Sequence, residues 1–205
     1  MFVITADQDN SRHSSDQVPA LLAALAEFTS DADGVALGFE RTVGDEVQGV
    51  LTDARTTLVI ALALQRRQEW SVGIGVGAAS LPLAETARAS TGPAFLHARD
   101  AVERARGRTV PVPLALEASD AAAAEECEAL LQLLTVIVRR RSDAGWEAID
   151  LLSAGDRTAK DVAEQLGISP QAVSDRLRAA MWEEERAVHP LAVRLLADLD
   201  AATAG

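Results

Sequence analysis

TAKDVAEQLGISPQAVSDRLR, from Thr158 to Arg178, decides the reading of the C-terminal half. Thr158 can cap a helix whose inward face is Val162, Ala163 and Leu166. Gly167 supplies the left-handed residue that stops it, and Ile168 fills the corner. Ser169 caps the next helix, with Pro170 in the first turn, where a missing N–H costs nothing. Val173 and Leu177 then turn this second helix back onto the first. A small residue before the turn glycine, an apolar one after it and another further on make up the helix-turn-helix pattern.

With Val173 and Leu177 inward, Ser169, Gln171, Ser174, Asp175 and Arg178 face outward, toward the major groove of double-stranded DNA. Glutamine can pair with both hydrogen-bonding atoms of adenine, and arginine with those of guanine. Arg157, Thr158, Lys160 and Arg176 sit where phosphates would pass, and Arg139 to Arg141 can add further positive charge. Acids and bases balance over residues 156–180, so the motif binds well only as a dimer or with such added bases. The same neutrality suits the alternative of a helical hairpin used only for protein contact. The segment Trp182 to Leu199 stays helical and no β-hairpin follows, so no wing is expected; in this the motif resembles the LuxR and sigma-factor type.

Upstream, Ser119 and Asp120 start a helix expected to run through Arg141. Its stretch Leu130 to Val138 is apolar nearly all round, which predicts burial on more than one side, in part between the two domains and in part in a homodimer contact. Before residue 118 the periodicity alternates. Strands are expected at Phe2–Ala6, Val35–Arg41, Val47–Leu51, Trp70–Val76 and Val110–Leu116, and helices over Asp16–Phe28, Asp53–Gln68 and Pro93–Arg106. Ala79 to Thr91 reads as a loop. Gly73, Gly75 and Gly77 mimic a dinucleotide fingerprint, but they lie inside a strand and signal close packing instead.

Acids outnumber bases 31 to 19, giving a formal charge of −12, which argues against attachment to nucleic acid or membrane by bulk charge. Lys160 is the single lysine. One cysteine, Cys127, makes no internal disulfide and reads as a small buried residue. The opening MFVITADQDN has no signal-peptide pattern and no apolar run spans a membrane, so a cytoplasmic protein is expected. Trp146 and Trp182 read as packing residues, and Glu183 to Glu185 as a solvated helix face.

Asp7 follows the first strand and Asp45 sits in the bend of the hairpin made by the second and third strands, so the two carboxylates can converge on a divalent metal such as Mg²⁺. The strand order, with Val3 to Asp7, Gly44-Asp45-Glu46 and Ser71 to Gly77, resembles the palm of class III nucleotidyl cyclases and GGDEF proteins over residues 1–116. More closely, the Asp7-to-Arg12 stretch, the Arg41-to-Gln48 hairpin and Gly92 to Arg99 are similar to the SatD-like family, including actinobacterial members with a C-terminal helix-turn-helix. The resemblance implies a nucleotide ligand, with Arg12, Arg41, Glu46 and Arg99 as its contacts. Phe95, however, stands where a cyclase carries its transition-state asparagine, and Val43 replaces the first glycine of the GGDEF turn. Both departures favour a ligand-sensing domain over an active enzyme.

The fold expected is therefore α+β in two domains. A cyclase-palm-like (ferredoxin-like) α/β sandwich covers residues 1–117, and an all-α helix-turn-helix domain without a wing covers 118–205. The function expected is a sequence-specific DNA-binding transcriptional regulator, a homodimer whose N-terminal domain senses a ligand, with nucleotide and Mg²⁺ as candidates, or forms the assembly. The alternatives are an enzyme acting on nucleoside triphosphates through Asp7 and Asp45, and a protein-interaction module that does not bind DNA.

Overall fold

The computed structural model describes residues 1–9, 15–29, 33–107 and 109–203. Among them the fold is α+β, with a five-stranded mixed sheet and eight α-helices. The chain forms two compact units, Met1–Thr135 with Leu191–Gly205, and Val136–Pro190. No helix of the described residues is long and apolar enough to cross a membrane.

The first unit holds β1 (Phe2–Gln8), α1 (Val18–Thr29), β2 (Val35–Arg41), β3 (Glu46–Leu51), α2 (Ala54–Arg66), β4 (Trp70–Val76), α3 (Pro93–Arg106) and β5 (Leu114–Glu117). The sheet runs β2-β3-β1-β4-β5, antiparallel except for the parallel β4–β5 pair. β1 and β4 are buried along their whole length, as central strands covered on both faces must be. On β4 the odd-numbered glycines face α3. A Cβ on Gly73 would meet the backbone nitrogen of Val102, and one on Gly75 the carbonyl of Ala94. The even-numbered Trp70, Val72, Ile74 and Val76 point to the opposite face, and α2 packs against β1, β3 and β4. The close strand packing expected of these glycines is what the structure contains.

β5 begins later than expected. Residues 110–113, with Pro111 and Pro113, precede the strand, because a proline has no N–H to give a ladder. Its outer edge is closed by side chains of α4 (Ala121–Arg140): Glu128 accepts from the Leu116 N–H at 2.7 Å, and Gln132 donates to the Leu114 carbonyl at 3.2 Å. Most of α4 therefore belongs to the sheet unit, which runs to Thr135 within that helix. The stretch Leu130 to Val138 is not buried all round: Leu131, Leu134 and Val138 are buried, whereas Leu133 is 58% exposed. Cys127 is buried, and burial, with Glu128 beside it, pushes its thiol up to about 12, so it stays protonated. The loop Ala79–Thr91 contains one short 3₁₀ turn, Ala87–Ala89.

In the second unit, α5 (Asp143–Ser153), α6 (Ala159–Leu166) and α7 (Pro170–Ala179) pack together ahead of α8 (Trp182–Ala202). Val162, Ala163 and Val173 form the buried centre, flanked by Leu151, Leu152, Leu166, Ile168 and Leu177. The inward faces are those the periodicity predicts.

Candidate functional site

The hairpin of β2 and β3 delivers two of the sheet unit's acids to one place. Register pairs Asp7 with Glu46 across β1 and β3, and the Gln8 N–H reaches the Asp45 carbonyl at 3.3 Å. Gly44 turns the bend with φ 65°, a conformation that favours glycine. Above this end of the sheet lies a cavity of about 640 Å³. Thr5, Asp7 and Gln48 line it from the sheet, Val43 to Glu46 from the hairpin, and Arg88, Phe95, Leu96, Arg99 and Arg106 from the opposite wall. Three of the carboxylates and one of the arginines expected at a ligand site thus share one cavity.

The remaining expectations fare differently. Arg41 is bound by Asp16, 25 residues away in sequence, and does not line the cavity. Arg12 lies outside the described residues. Arg106 was not foreseen, yet its Nε stands 3.0 Å from Asp7 Oδ1. Its signal was present in the sequence: Phe95, Arg99 and Arg106 recur at helical spacing and share one face of α3. Phe95 itself is 9% exposed, packs with Val3, Val50, Ala94 and Ala98, and contributes an apolar wall.

Asp7 is the perturbed group of the cavity. Burial pushes its carboxyl up from the ordinary 3.8 to about 6; Arg106 pulls it down, and Asp45, Glu46 and Asp9 push it up. The two carboxylates expected to hold a divalent ion, Asp7 and Asp45, both line this cavity. Asp7 already has Arg106 as its cation, and no group of three or more His, Cys, Asp or Glu side chains among the described residues has metal-binding geometry. Because the folded value lies above 3.8, the folded chain holds this proton more tightly, and stability falls as pH rises from about 4 to about 6. Asp7→Asn is therefore expected to stabilise the protein by about 1–3 kcal/mol at pH 7.5 and to change little at pH 4. Thermal melts at the two pH values check this; a variant equally destabilised at both would contradict it.

The second candidate is the exposed face of α7. Thr158 and Asp161 form a reciprocal capping box at the start of α6. These hydrogen bonds to Thr158 hold Asp161 below the usual carboxylate range. Gly167 ends α6 in the left-handed conformation, φ 65°, and the Ser169 side chain accepts from the Ala172 N–H at 3.1 Å to begin α7. Gln171, Asp175 and Arg178 are exposed along one side. Ser174 is half-buried and donates to the Pro170 carbonyl at 3.1 Å. Among the bases assigned to phosphates, Lys160 and Arg157 are exposed, Arg157 donating to Gln165 at 2.8 Å. Arg176 is instead held by Glu147 of α5 at 2.8 Å.

Two surface assignments are corrected. Arg141 cannot serve as a free base, because its side chain is 1% exposed. It donates to the Ala180 carbonyl at 2.9 Å, pairs with Glu185, and lies 4.7 Å from the centroid of the Trp146 ring. Glu185, expected on a solvated face with Glu183 and Glu184, is accordingly buried, while the other two are exposed. Trp146 and Trp182 do pack, but against this guanidinium, which lies 5.7 Å from the Trp182 ring centroid. No family model, no curated protein and no solved structure matches this chain.

Proposed function

We propose that the chain is a sequence-specific DNA-binding regulator, in which α6 and α7 read double-stranded DNA and the sheet unit senses a small ligand. One observation carries the reading. Caps at Thr158, Gly167 and Ser169 and the closed Val162–Ala163–Val173 centre leave Gln171 and Arg178 outward on a rigid helix. A helix so fixed offers adenine- and guanine-reading side chains at the spacing of one groove face. Replacing both Gln171 and Arg178 by alanine should abolish sequence preference, each base contact being worth about 1–3 kcal/mol. Gel shifts on a duplex selected from a random pool check this, with circular dichroism confirming the fold. Unchanged preference in the double variant would favour the protein-interaction module.

The sheet unit supports the sensing half of the proposal. The order β2-β3-β1-β4, with every pairing antiparallel, supports a ferredoxin-like reading of the split β-α-β kind. The cavity that gathers Asp7, Asp45, Glu46 and Arg99 supports ligand binding there. A nucleotide is one ligand of suitable chemistry, its phosphates meeting Arg88 and Arg99. Phe95 supplies no hydrogen bond to a transition state, so sensing is preferred to turnover. We further propose a homodimer that uses the exposed Leu133 of α4, as two half-sites require. Light scattering at tens of micromolar should give twice the 21.6 kDa chain mass.

A further inference from the structure

We infer that Asp175 is the positioning residue that sets the sequence specificity of α7, an inference that rests on the DNA-reading proposal above. Its Oδ1 accepts from Gln171 Nε2 at 3.0 Å and from Arg178 Nη1 at 2.7 Å. Asp175 stands four residues after Gln171 and three before Arg178, so a single carboxylate oxygen ties both outward side chains to the middle of the face. Ser174 is turned back onto the helix and contributes nothing to this arrangement.

Stability does not explain the carboxylate. The Arg178 and Asp175 side chains are 70% and 55% exposed, and an ion pair that open contributes almost nothing to folding. Binding by charge does not explain it either, because a negative group on a groove-facing helix is repelled by the phosphates. What it does supply is order: two long side chains that otherwise sample many rotamers are held before DNA arrives.

The chemistry left free after these two bonds is still sufficient for base reading. Gln171 keeps its second amide hydrogen and its carbonyl oxygen, the donor and acceptor that match N7 and the amino group of adenine. Arg178 keeps the edge formed by Nε and Nη2, two donors that match O6 and N7 of guanine. Oδ2 of Asp175 accepts no bond from either residue and can take the amino group of a cytosine. Because both donors meet one oxygen, Gln171 Nε2 and Arg178 Nη1 lie within about 6 Å of each other. The target is therefore duplex DNA in which an adenine and a guanine lie within about two base steps.

The test uses the full chain and a duplex pool carrying a random central segment. Wild type, Asp175→Ala and Asp175→Asn are each titrated with the selected duplex and with a scrambled one. The expected result is that Asp175→Ala binds the scrambled duplex more tightly, yet loses about tenfold in the ratio of the two affinities. Asp175→Asn, which keeps the acceptor oxygen without the charge, should retain most of that ratio. If Asp175→Ala gains on both duplexes by the same factor, Asp175 is only a repulsive charge and the inference fails while DNA reading stands. If wild type selects no sequence at all, the DNA-reading proposal fails and takes this inference with it.

Discussion

Substituting Gly75 by valine is expected to leave the sheet unit without a cooperative native fold. A Cβ built on Gly75 lies 2.1 Å from the Ala94 carbonyl oxygen and 2.2 Å from the Ala98 nitrogen, both backbone atoms of α3. Gly73 meets the Val102 nitrogen at the same 2.2 Å. Overpacking usually costs about 1–3 kcal/mol because neighbouring side chains change rotamer to make room. Here no side chain intervenes, and only displacement of the whole of α3 relieves the clash. That displacement would uncover Val3, Val50 and Phe95, and with them one wall of the cavity. Gly75→Ala should already lower the melting temperature sharply. Gly38→Ala is the control, since a Cβ there meets nothing within 4 Å and should shift stability by less than about 0.5 kcal/mol. Equal melting of Gly38→Ala and Gly75→Ala would show that α3 does not lie against β4 as described.

Glu185→Ala should be the most damaging single change in the helical unit. It leaves the buried Arg141 guanidinium without its carboxylate, a loss of about 3–5 kcal/mol for a pair of this burial. The Ala180 carbonyl and the Trp146 and Trp182 rings remain as partners, but they are dipoles and quadrupoles and do not neutralise a full charge. Replacing both partners by apolar residues, Arg141→Met with Glu185→Leu, removes the stranded charge and should recover most of the stability. The pH dependence has a definite sign. Burial pushes the Glu185 carboxyl up, but the hydrogen bonds from His189 and Arg141 and the charge of Arg141 outweigh it and hold the group below the ordinary 4.5. Its contribution is complete above about pH 4.5 and is lost as pH falls through the depressed value. Denaturant melts from pH 7 to pH 3 should show wild type and Glu185→Ala converging at the acid end. A difference that stays constant across that range would remove the ion pair from the account.

Much of the framework was legible residue by residue, because its causes are local. Trp70 to Val76 alternates large and small residues, and the strand has those bounds. Thr158, Gly167, Ser169 and Pro170 each act within one turn of helix, through a cap, a left-handed φ or a missing N–H, and all four occupy the positions expected of them. The inward faces of α6 and α7 follow from a 3.6-residue period. Asp7 and Asp45 could be brought near one another because each sits at the end of a strand whose neighbours follow from the order of elements.

What escaped the sequence depends on partners far along the chain. Arg41 looked like a ligand contact, but Asp16 claims it. Arg106 stood in the sequence only as the last residue of an expected helix, but the packing of α3 on β1 lays it on Asp7. Arg141 and Glu185 each stand in a run of like charges, which in sequence reads as surface. They are 44 residues apart and buried together because the chain turns back between α7 and α8. Periodicity and capping report energies spent within a few residues, so one sequence carries them openly. A charge's fate is decided by whether an opposite charge meets it after the chain has closed on itself, and that is settled only by tertiary structure.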